Sequence, residues 1–398
     1  MDVVIIADFC GRFNQKDNCR FTFLAEMLCE DHHSVEIITS DFIHGEKKYF
    51  EVVPTKFPYK ITMLHEGAYK KNVCLQRFKG HYIWGKNVKK YLNSREKPDV
   101  VYCAIPTLQA AYEAAKYCER NRIRFIIDIQ DLWPEAFAMA FKIPLLSNVI
   151  FTPFQYIANA IYKRADEICA VSQSYVNRAL FVNKKCKEGH SVFIGTSIKK
   201  FDENIQNNSL IKKEEGELWL AYCGTLGKSY DIESVIEALY LLKREKINIP
   251  RFIVIGDGEK MDSLQKLARE KNIDTYFTGR LKYSEMCALL SKCDIAVNPI
   301  IGTSVASIIN KHSDYAASGL PVLNTQNSTE YINLVNGYKM GLNSKSGNIL
   351  ELAKNIKILI QDEKTRIMMG KNARKCAIEK FDRDTTYLEL IETICKRD

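Results

Sequence analysis

Short apolar runs rich in β-branched residues alternate with amphipathic stretches, twice over, and this alternation constrains the fold more than any other feature. "DVVIIAD", "SVEIITS", "DVVYCAI", "RFIIDI" and "EICAVS" make up the first round, with helical patterns such as "CRFTFLAEMLCED" between them. After the polar "FIGTSIKKFDENIQNNSLIKKEEGE" the pattern restarts with "LWLAYCG", "RFIVIGDG", "TYFTGR", "IAVNPI" and "PVLNT". In this second round helices are expected over 232–243, 259–271, 283–292 and 307–318, with two or three more before the end. Such alternation means βαβ units and parallel sheets. With 398 residues, the chain exceeds one ordinary core. The expected architecture is therefore α/β, with two Rossmann-like doubly wound domains facing across a cleft. Their expected bounds are 1–195 and 217–380, joined by a linker over 196–216, and a helix in 381–398 packs back toward the first domain. In doubly wound folds ligands bind at the carboxyl ends of the strands.

With 46% hydrophobic and 26% charged residues, the chain is neither disordered nor fibrous. Its 13 cysteines include no Cys-x-x-Cys pair and no Cys/His cluster of zinc-site spacing, which predicts reduced thiols and a cytoplasmic protein. "MDVVIIADFC" lacks the basic flank of a signal peptide and reads as a first strand. No stretch reaches the ~18 apolar residues that span a bilayer. The net charge of +9 is uneven: residues 1–200 carry 29 Lys and Arg against 21 Asp and Glu, the remainder 28 against 27. An anionic partner of the first half is implied. Residues 67–95 contain Lys70, Lys71, Arg77, Lys79, Lys86, Lys89, Lys90 and Arg95, no acid, and Tyr69, Phe78, Tyr82, Trp84 and Tyr91. This mixture suits an anionic membrane interface or, alternatively, a solvated loop. "IPLLSNVIFTPFQYIANAIYKR" suits either a leaflet or a buried helix. No nucleic-acid recognition motif accompanies the charge.

Three loops carry candidate chemistry. In "LWLAYCGTLGKSYDIESVIEALYLLK" a strand runs into Gly224 and Gly227, and Asp231 caps a helix whose Ile232, Val235, Ile236, Leu239 and Leu242 share a face. Small residues there admit a phosphate to backbone amides, with Lys228 adding charge; a simple strand-to-helix turn would also require glycine. Gly256 and Gly258 in "RFIVIGDGEKMDSL" lack the third glycine of a dinucleotide fingerprint, and close packing of the turn accounts for them equally. In "SVASIINKHSDYAASGLPVL", Asn310, Lys311 and Asp314 fall near the start of one helix. A lysine in a first helical turn opposes the macrodipole unless an anion is present, so Lys311 invites a phosphate; an exposed ion pair with Asp314 is the alternative. His312 is read as incidental, and neither Tyr49, Phe50 nor the seven histidines form a constellation.

In order and spacing, "YCGTLGKSYDIESVIEAL", "FIVIGDGE", "YFTGRLKYSEMCALLSKCDIAVNPI" and "NKHSDYAASGLPVLNT" resemble the C-terminal domain of retaining glycosyltransferases of family 4, which have the GT-B fold. "FIIDIQDLWPEAF", "ADEICAVSQSY" and "VFIGTSIKKF" are similar to that family's "HD-x-WP", "AD-x-IIAVS" and "IPNG-x-D-x-x-x-F" segments. The resemblance implies that Gly224, Thr225 and Lys228 face a donor diphosphate, that Gly256 and the stretch Thr278, Gly279, Arg280 and Leu281 wall the nucleotide base, and that Gly11 and Gly258 belong to the donor site. It implies further that Asp314 takes the ribose-binding place of the second glutamate of E-x7-E. Lys311 would reach the diphosphate, as in the "Asn/Ser-Lys...Glu-Tyr" subgroup of O-antigen and capsule amino-sugar transferases, of which "DLWPE" is also typical. Asp131 would stand near the reacting centre, or cap the turn that follows it.

This sequence departs from the family pattern at three places. Ala306 replaces the first glutamate of E-x7-E, Gln130 replaces the histidine before Asp131, and the usual Arg/Lys loop pair is reduced to Lys228. Gln130 does not titrate, which leaves acceptor deprotonation to Asp131 or to the departing phosphate. The implied activity is transfer of a hexosyl or N-acetylhexosaminyl group from a nucleotide sugar, UDP-linked, to a lipid-diphosphate-linked or other glycan acceptor in surface polysaccharide synthesis. Neither cofactor nor metal is expected, since cations on the protein serve, and the enzyme would be peripheral to the cytoplasmic face of the membrane. A nucleotide-sugar epimerase and a catalytically weak partner that binds nucleotide sugar are the rival readings.

Overall fold

A computed structural model of the chain describes residues 1–11, 13, 19–71, 74–135, 147–206, 211–302 and 308–396, with backbone alone for 147–150. The chain divides into unit 1, Met1–Val192 with Tyr387–Asp398, and unit 2, Phe193–Thr386. Unit 1 contains β1 (Asp2–Ile6), β2 (Ser34–Ser40), the hairpin β3 (Phe42–Ile43) with β4 (Lys48–Tyr49), β5 (Lys60–Leu64), β6 (Val100–Ile105), β7 (Arg124–Ile129), β8 (Glu167–Ala170) and β9 (His190–Ser191). Seven of these strands form a parallel sheet in the order β5-β2-β1-β6-β7-β8-β9, in which Ile5 lies opposite Ile37 and Tyr102. Unit 2 contains β10 (Trp219–Cys223), β11 (Arg251–Ile255), β12 (Thr275–Gly279), β13 (Ile295–Asn298), β14 (Val322–Asn324) and β15 (Gly341–Asn343), all parallel, in the order β12-β11-β10-β13-β14-β15. In each sheet the order reverses beside the first strand, between β1 and β6 and between β10 and β13, where doubly wound folds open a crevice for ligands.

The central strands form because both faces are covered. Val3, Val4 and Ile5 in β1, and Leu220 and Ala221 in β10, are fully buried between helix layers, which is why they read as continuous apolar runs. The helix Ile232–Arg244 begins where Asp231 accepts the Ser234 amide at 3.2 Å, and it buries Ile232, Val235, Ile236, Leu239 and Leu242.

In three places the structure departs from expectation. The stretch read as linker contains a helix, Ile198–Ile205, capped by Ser197, whose Ile198 and Phe201 enter the unit 2 core. The chain crosses between units earlier, after Val192, and returns after Thr386. Polar neighbours hid that apolar pair from a composition reading. After β14, in place of two or three helices, the chain forms β15, helices at Thr329–Tyr338, Ile349–Gln361, Glu363–Cys376, Arg383–Thr386 and Leu388–Cys395, and a π-helical turn at Ala377–Phe381. The basic, aromatic run over 67–95 is mostly one 20-residue helix, Leu75–Ser94, rather than a loop. Its Trp84 is 1% exposed, and Arg95 pairs with Asp2 and Glu36 while Lys89 pairs with Glu113. No helix among the described residues is long and apolar enough to cross a membrane.

Candidate active site

In unit 2 the candidate residues gather at the point where the strand order reverses. β10 ends in a turn where Gly224 has φ +143°, and β11 ends where Gly256 has φ +137°, a backbone region that only glycine adopts readily. The two turns are pressed together: a Cβ on Gly256 would lie 1.9 Å from the Gly224 carbonyl oxygen, and one on Gly258 would lie 2.5 Å from that of Leu226. Gly256 and Gly258 thus serve close packing of adjacent turns, and nothing in their geometry assigns them to a base. The Gly224 amide donates to Ile255 O at 2.9 Å and the Leu226 amide to Asp257 O at 2.9 Å, so these two are not free for a phosphate as the glycine reading supposed. Thr225, Lys228 and Ser229 are exposed in this turn, with Arg280 exposed beyond β12 and Leu281 packed against the core.

Lys311 completes the arrangement. The helix Asn310–Ala317 is shorter than the expected 307–318, and residues 303–307, Ala306 among them, lie outside the described residues. Asn310 is exposed, whereas Lys311 is only 7% exposed. Its Nζ would lie 2.9 Å from a Cβ on Gly224, so the missing side chain at 224 is what admits the ammonium. That Nζ also sits 4.4 Å from the Tyr222 ring centroid and 3.8 Å from that of Tyr230, and it has no hydrogen-bond partner among the described residues. Burial lowers its pKa from 10.5 to about 7. Two aromatic faces compensate part of the lost hydration of a cation, but a buried ammonium with no anion remains costly.

Asp314 does not pair with Lys311. It accepts the Tyr283 hydroxyl at 3.0 Å, and that hydroxyl in turn lies 2.7 Å from Thr196 Oγ1. Burial raises its pKa to about 6. Tyr315 anchors the helix to the sheet, accepting the Cys223 amide at 2.7 Å and donating to Val297 O at 3.2 Å. His312 Nδ1 accepts the Ile309 amide at 3.1 Å and its ring stacks on Tyr331 at 3.8 Å, which makes it a cap of the helix. The chain's Asp-x-Asp triplet, Asp382-Arg383-Asp384, is consumed structurally. Asp382 accepts the Ile198 amide, Asp384 accepts the Ser197 hydroxyl, and buried Arg383 donates to Ile194 O.

Unit 1 holds the remaining candidates. Asp131 Oδ2 accepts Trp133 Nε1 at 3.3 Å, and burial raises its pKa. Gln130 donates its amide to Ile105 O, while its buried Nε2 has no partner among the described residues. Gly11 is exposed with φ +71°. Sequence reasoning missed a buried cluster here. His81 Nε2 lies 3.7 Å from Asp8 Oδ2 and 3.6 Å from Glu66 Oε1, Thr107 donates to Asp8, and Ser40 donates to Glu66. Burial, then the charge of Asp8, pushes Glu66 up to about 8, and burial pushes Asp8 up to about 6. Arg77 lies over the Trp133 ring at 4.7 Å and His81 stacks on the same ring at 5.5 Å. Asp8 lies just beyond the end of β1 and was the one member that its position in sequence could have flagged.

Residues 203–376 match the family model described as glycosyl transferases group 1. That stretch is similar to the group 1 glycosyltransferases. An uncharacterized glycosyltransferase of Methanocaldococcus jannaschii, MJ1069, is 26% identical over 242 residues, 57% of each chain, so the match spans little more than half of that curated relative. Among solved structures, HepE of Anabaena in complex with UDP is superposable with a TM-score of 0.68 over 99% of both chains at 16% identity. WaaG, a glycosyltransferase involved in lipopolysaccharide biosynthesis, gives 0.69 over 99% of this chain and 100% of its own at 13% identity. The chain has the GT-B fold. Within it, the stretch similar to group 1 glycosyltransferases contains Gly224, Gly256, Lys311 and Asp314.

Proposed function

We propose that this GT-B protein is a retaining glycosyltransferase that takes a hexosyl or N-acetylhexosaminyl group from a UDP-sugar. One observation carries the reading: a buried ammonium, Lys311 Nζ, without a hydrogen-bond partner among the described residues and held against the glycine turn at Gly224. Departure of a nucleoside diphosphate leaves negative charge on the β-phosphate as the glycosidic bond breaks, and a preorganised cation in a water-poor site stabilises that charge. A bound diphosphate also resolves the cost of burying Lys311, so ligand and site stabilise each other. Asp314, in contact with Tyr283, is the candidate for the ribose hydroxyls, and Thr225 and Lys228 for the outer face of the diphosphate. The presence of UDP in the HepE complex supports the choice of nucleotide.

In unit 1, Asp131 is proposed near the reacting centre with Gln130 beside it, and Gly11 near the donor. The acceptor is proposed to be a lipid-diphosphate-linked or other glycan of a surface polysaccharide, O-antigen or capsule; the role stated for WaaG supports this class. The helix Leu75–Ser94 presents exposed Lys79, Tyr82, Lys86 and Lys90, with Lys86 Nζ 4.7 Å from the Tyr82 ring, a basic and aromatic face suited to an anionic membrane surface. The first test is incubation with a panel of UDP- and GDP-sugars, with and without a lipid-diphosphate acceptor, following nucleotide release by mass spectrometry. Release of UDP that depends on acceptor is expected, and Lys311→Ala lowers it by about a hundredfold or more. Unchanged turnover in Lys311→Ala rejects the assignment.

A further inference from the structure

At the far end of unit 1 from its carboxyl-end loops, three different ligand types converge. Asp31 and His33 lie between the helix Arg20–Glu30 and β2, and Cys395 is the last residue of the helix Leu388–Cys395. His33 Nε2 is 3.1 Å from Asp31 Oδ2 and 3.1 Å from Cys395 Sγ, and the three ligand atoms all lie within 4.8 Å of one another. His33 Nδ1 is 3.3 Å from the α-amino group of Met1.

Hydrogen bonding serves these three atoms unequally. If Nε2 carries the hydrogen it donates to the Asp31 carboxylate, and the Cys395 sulfur is left as a weak second acceptor. If Nε2 is the acceptor, the thiol is served and the carboxylate oxygen faces a lone pair at 3.1 Å. A cation held between the three atoms satisfies all of them together. Tetrahedral zinc, with Zn–N and Zn–O near 2.0–2.1 Å and Zn–S near 2.3 Å, sets neighbouring ligand atoms roughly 3.3–3.6 Å apart. The two spacings from His33, both 3.1 Å, are within a few tenths of an ångström of that, and the third lies within 4.8 Å. Thiolate, imidazole and carboxylate together favour zinc over magnesium or calcium. A second cluster among the described residues, Asp8–Glu66–His81, offers no thiolate, and Arg77 Nε lies 3.4 Å from its His81 nitrogen.

We infer that Asp31, His33 and Cys395 form a zinc site that clasps the C-terminal helix to the start of β2. The side chain of Asp31 is 64% exposed and that of His33 15%, so the fourth position opens to water. The site acts on stability and takes no part in sugar transfer, so its fate is independent of the proposed function.

The test uses the full chain, kept reduced and stripped with a chelator. Zinc titration against a chromophoric competitor is expected to show one equivalent bound and a rise in Tm. Cobalt in place of zinc is expected to give a thiolate-to-metal charge-transfer absorption. Cys395→Ser and His33→Gln abolish both signals, Asp31→Asn weakens zinc binding by about tenfold or more, and His81→Gln leaves them unchanged. The inference is overturned by a wild-type protein that zinc does not stabilise, by equal binding in Cys395→Ser, or by loss of binding in His81→Gln.

Discussion

Lys311 and Gly224 stand or fall together. Gly224→Ala places a methyl group 2.9 Å from the lysine nitrogen at a φ of +143°, which costs about 1–3 kcal/mol of backbone strain and displaces the ammonium. UDP affinity measured by calorimetry is expected to fall with it. The pH dependence follows from the sign of the shift. On the proposed reading a diphosphate is bound through the protonated form of Lys311, so affinity is expected to be fully present below about pH 7 and to decline as pH rises above that value. The ratio of wild-type to Lys311→Met affinity therefore shrinks between pH 7 and 9, and a constant ratio contradicts a charged contact. Asp314 gives the opposite test, on stability. Its folded pKa of about 6 lies above the unfolded 3.8, so the proton it holds favours the folded state at low pH, and that contribution disappears as pH rises through about 6. Asp314→Asn is thus expected to gain on wild type between pH 4 and 6, by roughly 2–3 kcal/mol at one pKa unit per 1.36 kcal/mol, and to level off above pH 6 in denaturant titrations.

Among elements, legibility tracked burial on both faces. β10 is apolar throughout, β11 and β13 are so but for the terminal Arg251 and Asn298, and all three are bounded by glycine or polar turns, so the pattern alone located them. β5 at the sheet edge is only half-buried, and β9 and β15 have two and three residues, too few for a pattern. The helix Leu75–Ser94 was obscured by its charge, although Gly80, Trp84, Val88 and Leu92 recur every fourth residue on its buried side, and that stripe is the signal a charge count overlooks. Spacing put Asn310, Lys311 and Asp314 on one helix, whereas only the fold could reveal that Asp314 faces Tyr283, and that Glu66 and His81 meet Asp8 from 58 and 73 residues away. Gly256→Ala belongs to this scale, because its Cβ would meet backbone at 1.9 Å rather than a mobile lysine tip. It is expected to destabilise unit 2 by more than Gly224→Ala, with the two thermal midpoints compared directly.

For the molecule as a whole, unit 1 is discontinuous. Tyr387, Leu390 and Ile394 enter its core beside Phe23, Val192 and Leu24, and Arg124 donates to the carbonyls of Thr393, Ile394 and Lys396 at the end of the last helix. Arg20 forms a bidentate pair with Asp128 at 2.8 and 3.2 Å while donating to Val192 O and Tyr387, so one buried guanidinium fixes both points where the chain crosses between units. Truncation after Thr386 is expected to unfold unit 1 in limited proteolysis, while residues 193–386 alone melt cooperatively. A truncated protein that keeps a protease-resistant unit 1 contradicts this. The same wiring governs the order in which the protein matures on a ribosome. The segment encoded second has all its residues before Tyr387–Asp398 are made, whereas the one encoded first must wait for them, so its newborn strands stay exposed to proteases and chaperones while the whole of unit 2 is translated.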